Sequence, residues 1–205
     1  MSKEFYEWIF RTNPARWDNS NGTIHGVDSQ ISDFLKSYRG KPTRIIDLGC
    51  GNGRTLEYIY RPEWKLYGID YVASAITVAK QKLGQSVTLL VGDMTTTGLE
   101  SKSFDVVFSL GAFEHMKQPN FNEPRRLVKD DGVFFCLVPI VSTSKGKTVT
   151  QFCYKTGTPY WGEQFEWELT ANEWKERLEE AGFSVKQYHH SSSDDAFICT
   201  PKEKQ

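Results

Sequence analysis

Short runs of apolar, largely β-branched residues recur along the chain at fairly even intervals: Arg44–Leu48, Lys65–Ile69, Val87–Val91, Phe104–Phe108 and Val133–Val138. Their apolarity is continuous rather than alternating. Strands buried on both faces read this way, so the runs predict a parallel sheet covered by helices. Between them the pattern turns helical: Thr55–Tyr60 follows the first run, Val72–Leu83 the second, and Asn122–Val128 lies between the fourth and fifth. A later helix is predicted over Thr170–Ala181, where Thr170 and Glu173 form a capping-box pattern and Gly182 a stop. Beyond it, Phe183–Tyr188 and Ala196–Thr200 flank the polar His190–Asp195. These two read as strands joined by a hairpin-length loop, the last one antiparallel, with the His189-His190 pair ending the first. Strand–helix alternation with right-handed crossovers then predicts a doubly wound α/β fold: a mostly parallel seven-stranded sheet with helices on both faces.

Two segments stand outside that alternation. Residues 1–40 hold an apolar opening (Phe5, Tyr6, Trp8, Ile9, Phe10), a polar turn, and a second helical pattern around Ile31, Phe34 and Leu35. Residues 139–169 are an insertion with Phe152, Tyr154, Tyr160, Trp161, Phe165 and Trp167 in a Gly/Thr/Pro-punctuated background.

Composition narrows the partners. The 205 residues carry 25 Lys+Arg against 26 Asp+Glu, a net charge of -1, which gives no global pull toward nucleic acid or an anionic membrane. The longest apolar run, Val133 to Val141, is near half the ~20 residues a spanning helix needs. Lys3, Glu4, Glu7 and Arg11 interrupt the opening, so no secretory signal is read there. Cys50, Cys136, Cys153 and Cys199 are scattered, without a C-x-x-C pair or a Cys/His cluster, so neither zinc nor a disulfide framework is expected. Cys136 and Cys199 lie in apolar runs and read as small core residues. A reducing cytoplasm is the expected compartment.

The most informative stretch is Ile45-Ile46-Asp47-Leu48-Gly49-Cys50-Gly51-Asn52-Gly53-Arg54-Thr55, an apolar strand running into three alternate glycines and then a helix. Such glycines permit a tight turn and let the backbone approach a ligand. A pyrophosphate loop wants G-x-G-x-x-G, and the place of its third glycine is taken by Arg54. Asp47 would also repel a pyrophosphate but could hold a cationic amine. The second strand ends in Asp70-Tyr71, and a carboxylate there can accept hydrogen bonds from ribose hydroxyls or cap the following helix. The third ends in Gly92-Asp93-Met94, where ligands of open α/β sheets bind.

IIDLGCGNGRT, YGIDY, VGDM, FDVVFSLGAFEHM and LVKDDGVFF, in this order, resemble the class I S-adenosylmethionine-dependent methyltransferases, and TANEWKERLEEAGF with the last two strands resembles that family's closing helix and β-hairpin. The resemblance implies the cofactor S-adenosylmethionine, with S-adenosylhomocysteine as product. Asp47 would hold the methionyl amine, Gly49 and Gly51 would pass beneath the cofactor, and Cys50, Asn52 and Gly53 would complete the turn. Asp70 would take both ribose hydroxyls while Tyr71 flanks the adenine. Asp93 would accept the adenine amino group beside Met94, and Ser109 and Leu110 would line the methionine end; Met94 as core and Ser109 as a turn residue are the plain alternatives. One departure is Asp130-Asp131-Gly132 where the family carries Pro-Gly-Gly, both of which read as turns. The division that follows is a single domain: 1–40 a helical lid, 42–138 the cofactor-binding core, 139–169 an insertion over the active site, and 170–205 the closing helix and hairpin.

Methyl transfer from a sulfonium is an in-line substitution that needs alignment and exclusion of water, and requires neither a metal nor a covalent nucleophile. Where the acceptor must lose a proton, Glu114 and His115 are the candidate bases, His115 being equally able to orient the cofactor carboxylate or cap a helix. Trp17, Tyr160 and Trp161 suit a planar or apolar small molecule, or a cation on ring faces, and could instead pack a satellite core. No [DN]-P-P-[YFW] stretch or Pro-Cys pair points to nucleic-acid bases. A small-molecule acceptor is therefore expected, with no nucleic acid or membrane partner. Two other readings stand beside it: a catalytically silent cofactor-binding accessory protein, and a nicotinamide oxidoreductase, which Arg54 and Asp47 disfavour.

Overall fold

Each apolar run read as a strand forms one in the computed structural model, which describes residues 3–14, 23–38, 42–153, 161–190 and 195–203. In chain order the elements are α1 (Lys3–Thr12), α2 (Thr23–Ser37), β1 (Arg44–Leu48), α3 (Arg54–Ile59), β2 (Lys65–Asp70), α4 (Ala73–Leu83), β3 (Val87–Val91) and β4 (Phe104–Leu110). A 3-10 turn, Phe113–His115, precedes α5 (Asn122–Leu127) and β5 (Val128–Val138); then come β6 (Gly146–Cys153), β7 (Trp161–Glu168), α6 (Ala171–Glu180), β8 (Phe183–His190) and β9 (Asp195–Pro201). Seven strands pair in the order β3-β2-β1-β4-β5-β9-β8. β1 to β5 run parallel, and β9 runs antiparallel to both its neighbours. The order reverses at β1, between β2 and β4, which makes the carboxyl ends of these strands the place where an open α/β sheet binds ligands.

Period-two side-chain alternation divides the sheet between two cores. Ile45, Val106, Phe108 and Phe135 pack with α2, α3 and α4 through Ile31, Leu35, Leu56, Ile59, Ile76 and Leu83. Ile46, Leu48, Val107, Phe134 and Cys136 pack on the other face with Leu127 of α5 and Trp174 and Leu178 of α6. The capping box of α6 forms: Thr170 Oγ1 accepts from the Glu173 N–H, and a Glu173 carboxylate oxygen accepts from the Thr170 N–H at 2.8 Å. Among the described residues, no helix is long and apolar enough to cross a membrane.

One local expectation fails. Asp130-Asp131-Gly132 is not a turn ahead of the fifth strand but part of it, since β5 starts at Val128. Phe104 pairs with Val128 and Val106 with Val133, so the extra residues bulge out, and a Cβ on Gly132 would sit 2.8 Å from the Asp105 carbonyl oxygen. The insertion contains regular structure: β6 and β7 form a separate two-stranded antiparallel sheet.

Candidate functional site

The turn after β1 is shaped by its neighbours. Gly49 has φ +82°, and a Cβ there would fall 2.6 Å from the Ala112 Cβ and 3.5 Å from the Met94 sulfur. The loops after β1, β3 and β4 therefore meet at this glycine. Gly53, at φ +75°, answers a different need: a Cβ would strike Leu83 Cδ1 at 2.8 Å and Ala79 Cβ at 3.0 Å, so its place is set by α3 packing on α4. Gly49 and Cys50 donate their N–H groups to the Ile69 carbonyl, which ties the turn to β2. Cys50 sends its sulfur into the core beneath the loop, where a Cβ on Gly68 would be 2.8 Å away. Burial above all, with the charges of Asp47 and Asp70, pushes that thiol well above its usual range. Of the loop residues expected at the cofactor, Cys50 thus brings only backbone and Gly53 serves helix packing.

Asp47 is 3% exposed near the end of β1, abreast of Gly68 and Phe108. Asn52 accepts from the Arg54 N–H at 3.3 Å and donates Nδ2 to the Pro14 carbonyl at 3.0 Å, which joins the loop to the segment after α1. Asp70 uses both oxygens on backbone: Oδ2 accepts from the Gly51 N–H at 2.8 Å and Oδ1 from the Val72 N–H at 2.9 Å. The capping alternative is realised in shifted form, because the N-cap of α4 is Val72 and Asp70 serves Val72 itself. A carboxylate has about four acceptor sites, so room for ligand hydroxyls remains. Burial raises the Asp70 pKa, with the backbone donors pulling the other way.

Tyr71 follows, partly exposed. Asp93 is exposed and accepts at Oδ1 from both the N–H and the hydroxyl of Thr95, at 2.8 and 2.7 Å. Met94 packs at the edge of the core. Ser109 is fully buried and donates to the Leu48 carbonyl at 2.7 Å, so its hydroxyl braces β4 against β1; Leu110, next to it, is half-buried. In the 3-10 turn His115 Nε2 stands 3.6 Å from Oε1 of the buried Glu114. Trp17 and Tyr160 lie outside the described residues, as does the side chain of Trp161, the first residue of β7. An open surface cavity lined by Lys102, Arg125 and Arg126 lies at the opposite end of β4 and touches none of these groups.

Tyr6, which the sequence showed only as part of an apolar opening, lies beside the candidate site residues. Its ring meets Tyr71 edge-on at 6.3 Å and His115 at 6.5 Å. Burial, then Tyr71, Glu114, Asp70 and Glu166, raise its pKa well above the usual value, which marks Tyr6 as the point where α1, β2, the turn after β4 and β7 converge. Trp167 anchors β7 there by donating its indole N–H to the Met116 carbonyl at 2.8 Å, with the Arg177 guanidinium 5.1 Å from the ring centroid. Around the tight glycine turn the carboxylates of Asp47, Asp70 and Asp93 offer acceptors. Those acceptors suit a ligand carrying a cationic amine, vicinal hydroxyls and an amino-bearing base.

Residues 46–136 match the family described as a methyltransferase domain. An uncharacterized methyltransferase of Anoxybacillus flavithermus is 28% identical over 124 residues, 57% of this chain and 56% of that protein. Ribosomal RNA small subunit methyltransferase C of Alcanivorax borkumensis is 30% identical over 115 residues, 54% of this chain and 35% of that one. The chain spans about half the length of the curated relatives it matches. Among solved structures, the Burkholderia thailandensis 1,6-didemethyltoxoflavin-N1-methyltransferase, with 1,6-didemethyltoxoflavin and S-adenosylhomocysteine bound, superimposes with a TM-score of 0.74 at 15% identity, over 98% of this chain and 87% of that one. Residues 46–136 are thus similar to a methyltransferase domain, and the sheet order is the fold shared with a methyltransferase solved with S-adenosylhomocysteine bound.

Proposed function

We propose that the protein transfers a methyl group from S-adenosylmethionine to a small-molecule acceptor by in-line substitution. The carrying observation is the ring of Asp47, Asp70 and Asp93 at the carboxyl ends of β1, β2 and β3 around the turn that starts at Gly49. In this reading Asp47 takes the amine, Asp70 the ribose hydroxyls with its unused acceptor sites, and Asp93 with Met94 the adenine, which Tyr71 flanks. Gly49 and Gly51 keep the backbone low beneath the ligand, and Ser109, through Leu48, holds the loop ahead of Leu110 in place. Bound there, the cofactor supplies an electrophilic methyl group on a positively charged sulfur. The protein aligns the acceptor and excludes water, which α1 does by lying across the turn. His115, facing Tyr6 and backed by Glu114, is the group to take a proton from the acceptor.

The balanced charge and the aromatic residues of the insertion support a small acceptor over RNA. Free, buried Cys50, Cys136 and Cys199 support a reducing, cytoplasmic setting. Calorimetric titration with S-adenosylhomocysteine and with NAD tests the reading. Binding of the first and not the second is expected; tight NAD binding without S-adenosylhomocysteine binding would overturn it.

A further inference from the structure

Helix α4 begins without a side-chain cap of its own: its N-cap position is Val72, which has nothing to offer the first N–H groups. They are satisfied from a distant part of the chain. Glu7 on α1 places Oε1 on the Ala73 N–H at 2.8 Å and Oε2 on the Ser74 N–H at 3.0 Å, while the Ser74 hydroxyl donates to the Glu7 carbonyl at 3.3 Å. An anion on two N-terminal N–H groups is also favoured by the helix dipole. Burial opposes ionisation of Glu7, yet the Ser74 and Ala73 donors and the Arg11 charge outweigh it and hold the carboxyl below its usual range.

Once seated, α1 crosses the candidate cofactor site. Phe10 comes within 3.7 Å of where a Gly51 Cβ would be, Tyr6 meets Tyr71 and His115, and the chain just past the helix is held through the Pro14 carbonyl by Asn52. Val72, the residue ahead of the two N–H groups Glu7 takes, is itself held by Asp70. Glu7 and Asp70 therefore grip consecutive amides at the start of α4, one from the cover and one from the floor. We propose that Glu7 is a positioning residue for the cofactor: by clamping α1 to the start of α4 it holds Tyr6 and Phe10 over the glycine turn, and its release is the step through which the cofactor leaves. This rests on the S-adenosylmethionine reading above. A helix cap with a purely structural role would affect melting and leave ligand exchange alone.

Stopped-flow displacement of S-adenosylhomocysteine from the full chain, well below the melting transition, separates the two. Glu7→Ala, which removes both acceptors, is expected to speed dissociation about tenfold, and Glu7→Gln, which keeps one, by about threefold. Dissociation at the wild-type rate in both variants would overturn the proposal, whatever their melting temperatures. Amide hydrogen exchange on the wild-type protein provides a measurement that needs no variant. Saturating S-adenosylhomocysteine should slow exchange across residues 3–12 by about tenfold or more, and unchanged exchange there would overturn the proposal equally. Failure of the wild-type protein to bind S-adenosylhomocysteine would instead refute the cofactor reading on which it stands.

Discussion

Ser109 and Asp70 show two ways in which a buried polar residue can serve a site. The Ser109 hydroxyl is committed to the Leu48 carbonyl inside the sheet, so its contribution is to hold the ends of β1 and β4 in register. Ser109→Ala would leave that carbonyl without its donor and should lower stability by about 1–2 kcal/mol in denaturant unfolding, with the cofactor-binding enthalpy little changed. Asp70 holds two backbone N–H groups and keeps acceptor capacity toward the site. Asp70→Ala is expected to weaken S-adenosylhomocysteine binding about tenfold or more by calorimetry. Unchanged affinity would mean that Asp70 serves the backbone alone.

At the scale of elements, β1, β4 and β5 were legible because residues buried on both faces leave no alternation to misread, while the edge strand β3 was legible as an apolar run although Thr88 and Val91 are exposed. The start of β5 was hidden by Asp130-Asp131-Gly132, whose composition is that of a turn while its backbone bulges within the strand against Asp105. β6 and β7 escaped because an isolated hairpin needs no continuous apolar run, and its glycines and threonines resemble loop composition. The glycine turn after β1 and the acids near the carboxyl ends of β1, β2 and β3 could be read in place. The roles of Tyr6 and Glu7 could not, since each depends on a partner more than sixty residues away, Tyr71 for one and Ala73 for the other. The docking of β7 is open to test through Trp167, whose indole N–H reaches Met116 beside His115. Trp167→Phe keeps an aromatic ring for Arg177 and loses that bond. Faster amide exchange along β7 and a stability loss of about 1 kcal/mol are expected.

Over the whole molecule, nearly equal numbers of acidic and basic residues leave stability to particular carboxylates. Burial alone would raise Asp105, Glu123 and Glu7, but Lys129 with the Arg44 and Thr43 amides, Arg126 with Thr97, and Ser74 with Ala73 hold them below their usual range. A depressed carboxylate contributes stability that is complete above its unfolded pKa and is lost as pH falls through the folded one. Asp70 and Glu166, raised chiefly by burial, act with the opposite sign, their ionisation costing stability as pH rises toward their folded values. Melting temperature is therefore expected to fall steeply below about pH 4. Asp105→Asn, which loses the Lys129 pair, should lower the neutral-pH melting temperature and flatten that acid limb; an unaltered limb would show that Asp105 carries none of it.

The reading as a methyltransferase of a small-molecule acceptor is tested most directly by incubating the protein with methyl-labelled S-adenosylmethionine and fractionated cell extract, and following where the label goes. Label transferred to the low-mass fraction, with S-adenosylhomocysteine formed in equal amount, is the expected result. Label confined to RNA, or left entirely on the cofactor by a protein that binds S-adenosylhomocysteine, would contradict it.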